Sequence, residues 1–202
     1  MPYMMRYAAL AGAAASVAAV LALWPAALQL FAFHMAQHLV LIALAAPLLV
    51  LGGVEWPLRP IRAWLIFVGL FLFWHWSAAF QWAARHPLAE VAELASILGA
   101  AWLFWSVALG NGALNHGARA LFVMTGAVVT DLPGVVMLFA PRAICVMPGE
   151  NAAAFGLTPL QDQQIAGLLM WVPANLIFFG IATWLFACWM ADPVPSQRLV
   201  TS

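Results

Sequence analysis

Lysine is absent from this sequence, and all seven basic residues are arginine. Charge of either sign is scarce: 7% of the 202 residues are charged, and the two signs cancel to a formal net charge of zero. A soluble domain carries about 25% charged residues to face water, so a soluble fold is excluded. With no basic surplus, nothing invites nucleic acid. The two cysteines, Cys145 and Cys188, lie in different segments and supply no disulfide framework. Neither a Ser-His-Asp nor a His-Glu-x-x-His arrangement stands out, which ranks a hydrolase last among the functions considered.

What the chain has in quantity is apolar surface: 66% of its residues are hydrophobic. Apolar stretches of about 20 residues, each the thickness of a hydrocarbon core, recur along it. They predict an all-α, polytopic transmembrane helical bundle in a single integral membrane domain, residues 1–202. About six spans are expected, at roughly 8–24, 31–51, 61–80, 88–109, 118–140 and 160–189. The connectors carry turn chemistry: Gly52-Gly53 with Pro57 and Pro60, Arg85-His86-Pro87, and Gly110-Asn111-Gly112. Only the fifth connector, residues 141–158 (PRAICVMPGENAAAFGLT), is long. The first span follows Arg6 and is alanine-rich, so it also has the form of a secretory signal with small residues at Ala26-Ala27.

Arginine placement sets an expected orientation. With a cytoplasmic N-terminus, Arg6, Arg59, Arg62, Arg119 and Arg198 lie inside, and Arg85 and Arg142 outside. That excess satisfies the positive-inside rule and puts both termini in the cytoplasm. Most of the tryptophans, such as Trp24, Trp56, Trp82 and Trp189, fall near span ends, where they anchor the chain to membrane lipid.

Within the second span, FHMAQH places His34 and His38 four residues apart, on one helical face. Two such imidazoles chelate one metal or bond to groups on facing helices, and in lipid they must point inward. At about 1.5 Å of rise per residue, His75, Glu90, Glu93 and Asp162 come to a similar depth near the outer end. Cys145 and Met147 join them from the long connector as possible metal or hand-over ligands, exposed in ICVMPG. Met137 reads as packing. Imidazole, thiolate and thioether together suit copper. The competing reading is that His/Glu pairs act as hydrogen-bond glue between helices. Asp131, beside Leu132-Pro133-Gly134, suggests an interrupted helix or an ion way-station. Thr158-Pro159-Leu160-Gln161 spells a helix start with a capping box, which places Asp162 at the positive end of that helix dipole.

Two stretches, HMAQHLVLIALAAPLLVLG and GLTPLQDQQIAGLLMWVP, resemble the CtaG family of bacterial cytochrome c oxidase assembly factors; WLFW in the fourth span fits as well. The resemblance runs from about residue 31 to 189 and implies a multi-pass protein of the bacterial plasma membrane. It implies a non-enzymatic role in making a haem–copper oxidase, through copper binding or delivery at the outer face. The expected partners are oxidase subunits and other copper chaperones. The family's motif residues fall on His34, Gln37, His38, His75, Asp162, Gln163 and Gln164. Of these, His34, His38 and His75 would hold copper with Glu90 or Glu93, while groups such as Gln37 and Gln163 would orient the rings. Relatives often begin span four with His-x-x-Glu-His, whereas this chain has Glu90-Val91-Ala92-Glu93-Leu94, keeping the second acid and neither histidine.

Two other functions are compatible with these residues. His38 and His75, on different helices at similar depth, have the placement of a bis-histidine haem pair, which would make the protein a membrane cytochrome. A copper or proton transporter would use Asp131 at mid-depth.

Overall fold

The computed structural model describes residues 3–56, 58–112 and 114–192. Pro57 and Arg198, used above in the connector and orientation arguments, lie outside the described residues. The chain forms seven helices among them: α1 (Tyr3–Ala27), α2 (Phe31–Leu51), α3 (Pro60–Trp74), α4 (Ser77–Ala83), α5 (Pro87–Leu109), α6 (His116–Phe139) and α7 (Pro159–Ala191). A single 3-10 turn, Ala152–Phe155, lies in the long connector. No strand occurs among the described residues. Five helices are long and apolar enough to cross a membrane, or six if α3 and α4 are one bent span. The protein is therefore an all-helical, multi-pass membrane protein.

Local chemistry explains most boundaries. Proline at the first helical position starts α3, α5 and α7, where its missing N–H costs nothing. The capping box at α7 is formed: Thr158 Oγ1 accepts from Gln161 N–H at 3.2 Å, and Thr158 N–H donates to Gln161 Oε1 at 2.8 Å. Asn115 Oδ1 caps α6 by accepting from Ala118 N–H at 2.8 Å.

Three features differ from the sequence expectation. The third span is not a continuous helix over 61–80. It bends by 75° between α3 and α4, with His75 closing α3 and Trp76 extended. Just past the bend the Ser77 hydroxyl donates to Ile144 O, at 2.9 Å, tying α4 to the long connector. Second, α6 runs unbroken through Pro133. Gly134 and Gly167 let α6 and α7 touch backbone to backbone; a Cβ on Gly167 would fall 2.6 Å from Gly134 O. That contact holds the helix across the proline. Third, α2 contains a π-helical turn, Leu41–Ala45, directly below His38. Trp105, fully buried, donates its Nε1–H to Ile42 O within that turn at 2.7 Å.

The core is aromatic. Phe67 and Phe104 lie 4.6 Å apart between ring centres, Phe104 and Phe122 4.6 Å, and Trp105 and Phe178 4.9 Å. α2 is drawn inside while α1 stays peripheral: 61% of the α2 span is buried against 11% of α1. Above the aromatic layer, the N-terminal ends of α2, α5 and α7, the bend between α3 and α4 and the long connector meet at one end of the bundle. Nearly all the buried polar side chains collect there.

Candidate metal centre

α2 needs a cap it cannot supply. Leu30 offers no side-chain acceptor to the first N–H groups of the helix. Asp162, 131 residues away on α7, does so: Phe31 N–H donates to Oδ2 at 2.7 Å and Ala32 N–H to Oδ1 at 3.0 Å. The carboxylate is fully buried, and its charge faces the positive end of the α2 dipole. This fixes the first turn of the helix that carries His34 and His38.

His34 and His38 then point inward together, with ring centres 4.7 Å apart and side chains shut off from solvent. Glu93 of α5 meets both. Its Oε1 is 3.3 Å from His34 Nε2 and 3.3 Å from His38 Nε2. These three residues are the one group of His, Cys or carboxylate ligands that comes together among the described residues.

His75 stands behind this group. Its Nδ1–H donates to Phe71 O at 2.7 Å, so a neutral His75 has a bare Nε2. That Nε2 lies 3.5 Å from His38 Nδ1, at the outer limit of a hydrogen bond. A His38 that donates Nδ1–H to His75 turns a bare Nε2 to Glu93 Oε1 at 3.3 Å; the other tautomer turns an N–H there. In the first, two buried electron-pair donors are in contact, an arrangement that a bound cation or an added proton relieves. The two separations from Glu93 Oε1 suit an ion. Tetrahedral ligands bonded at about 2.0–2.1 Å stand about 3.3–3.4 Å from one another. The residues present fit a small N/O-binding cation.

Other expected residues fall elsewhere. Glu90 is buried one turn before Glu93, outside the three-residue group, and its Oε1 is unpartnered. Gln37 does not bond to a histidine ring; its Nε2 donates to Val20 O at 2.8 Å and ties α2 to α1. Gln163 clasps the connector, accepting from Ile144 N–H at 2.6 Å and Cys145 N–H at 3.0 Å while donating to Met137 O at 3.0 Å. Met137 is buried packing, and Gln164 is half-buried beside Gln163. Asp131 accepts from Asn175 Nδ2 at 3.0 Å in the middle of the α6–α7 contact.

Cys145 and Met147 are not exposed, contrary to the reading of ICVMPG as an open arm. Both are buried, because Gln163, Ser77 and Gln29 pull the connector onto the bundle. Burial pushes the Cys145 thiol up to about 11, so it is a neutral thiol rather than a thiolate ligand near neutral pH. Sequence reasoning missed the Asp162 cap and the Trp105 hold on the π-turn. Neither has a local signal, since both partners lie more than sixty residues apart.

A family model described as cytochrome c oxidase caa3 assembly factor matches residues 53–192, more than half of the chain. The matched stretch contains His75, Glu90, Glu93, Asp162, Gln163 and Gln164, and begins after His34 and His38. No curated protein and no solved structure matches.

Proposed function

The chain belongs to the family of cytochrome c oxidase caa3 assembly factors, and on that footing we propose that it serves the oxidase by holding copper as cargo at His34, His38 and Glu93. The observation that carries this reading is the convergence of His34 Nε2 and His38 Nε2 on one buried Glu93 oxygen, each at 3.3 Å. Among divalent first-row ions, copper binds such nitrogen and oxygen donors most strongly. His75 Nε2 stands 3.5 Å from the other ring nitrogen of His38, and Asp162 fixes the helix end that presents both rings.

Copper would be received at the outer face of the bacterial plasma membrane, from another chaperone, and handed to an oxidase subunit. A site on rigid helix ends with three donors leaves a coordination position open, which transfer requires. The haem alternative is not favoured, because His38 and His75 touch at 3.5 Å and leave no slot between them for a macrocycle. Nor does a transporter path stand out. The cavity beside His38 is about 30 Å³, and aromatic and aliphatic side chains such as Phe67, Phe71 and Ile42 dominate its lining.

The test is oxidase assembly in cells carrying His34→Ala with His38→Ala. The expected result is a membrane-inserted variant with little active oxidase and a copper-deficient oxidase subunit. Normal oxidase copper and activity in that strain would remove the reading.

A further inference from the structure

α5 carries three side chains of ligand type in order along its first two turns. His86 sits at the cap, Glu90 lies in the first turn, and Glu93 is one turn deeper. The backbone joins the first two, since Glu90 N–H donates to His86 O at 3.1 Å. His86 is exposed, and its Nδ1–H donates to Trp82 O at 2.7 Å, so a neutral His86 has a bare Nε2. Glu90 is only 3% exposed, yet its Oε1 has no partner. Glu93 Oε2 and His34 Nδ1 are buried and unpartnered as well. A buried carboxylate oxygen left without a donor is costly and calls for an explanation.

On the far side of His38 the surroundings are different. The small cavity there has room for about one water, and only Thr130 and Met170 add donor atoms to a lining of apolar side chains. A hydrated cation has little to exchange its water for on that side. On the outer side, α5 carries in order the exposed imidazole of His86, the buried carboxylate of Glu90 and Glu93 of the centre.

We propose that Glu90 is the loading carboxylate of the centre: a copper ion captured at His86 exchanges onto Glu90 and from there onto Glu93, His34 and His38. The inference rests on the copper-handling reading above. Each step is a ligand exchange in which one donor replaces another or a water, and no electron moves. Glu90 is then a transit group, outside the resting site, which accounts for its empty Oε1 and for its absence from the three-residue group.

The experiment is stopped-flow loading of the detergent-purified full chain with Cu(II) presented from a colorimetric chelator. Glu90→Gln, which keeps size and shape, is compared with the surface variant His86→Ala, with wild type, and with His38→Ala. Glu90→Gln and His86→Ala are expected to reach the wild-type copper stoichiometry. Because a carboxylate lining an approach raises cation capture, Glu90→Gln should load about tenfold more slowly or worse. His86→Ala should be slowed in the same sense. Wild-type loading kinetics in either variant would overturn the route. So would loss of equilibrium copper from Glu90→Gln, since Glu90 would then be a resting ligand. If wild type takes up no Cu(II), the copper reading itself fails; if it does and Glu90→Gln loads equally fast, only this inference fails.

Discussion

At the residue scale, the centre turns on how the His38 ring is held. His75 donates to Phe71 O and sets its Nε2 3.5 Å from His38 Nδ1, backing the ring whose other nitrogen meets Glu93. His75→Ala should therefore leave the copper stoichiometry intact but weaken affinity by about 10–100-fold, the usual cost of losing a group that orients a ligand. His75→Gln, whose amide oxygen can still accept from His38 Nδ1–H, should recover part of it. A competition titration against a chelator reads the difference, and unchanged affinity in His75→Ala would contradict the role. The His34–His38 pair is legible in the sequence because four-residue spacing alone fixes a shared face. The pairing of that face with Glu93 is legible only as a match of depth. The demotion of Cys145 and Met147 is not legible at all, because it depends on Gln163 reaching back across the connector.

At the scale of elements, the end of α7 holds the start of α2. Asp162→Ala would strip two buried N–H groups of their acceptor. The loss of a cap is worth about 0.5–2 kcal/mol, and the burial of the orphaned donors adds to it. The expected outcome is a lower Tm in detergent together with weaker copper retention, since His34 sits one turn from the released end. A Tm equal to wild type would show that the cap carries no weight. The starts of α5 and α7 can be read from Pro87, Pro159 and the Thr158–Gln161 box, since those signals are local. The bend after His75 has no glycine or proline to announce it. It is accompanied by a tie between Ser77 and a connector nearly seventy residues on, and the π-turn likewise by the bond from Trp105.

At the scale of the whole molecule, hydropathy accounts for the architecture. Apolar runs long enough to cross a bilayer make the bundle all-helical, because in lipid every backbone group must be satisfied within the chain. The aromatic layer of Phe67, Phe104, Phe122 and Phe178 closes the middle of the bundle. Nearly all the buried polar side chains collect at one end, where two helices and a bend deliver His34, His38, Glu93 and His75. The family match covers the acidic and α7 side of that centre, while the two histidines of α2 lie before it and are supported by geometry. The central claim is that this end of the bundle binds copper. Its most direct test is the metal content and absorbance spectrum of the detergent-purified full chain, wild type beside the His34→Ala, His38→Ala variant. The account predicts near-stoichiometric copper in the wild type, its loss in the variant, and no haem Soret band in either. A wild-type protein that stays metal-free when supplied with copper, or a double variant that keeps its copper, would contradict it.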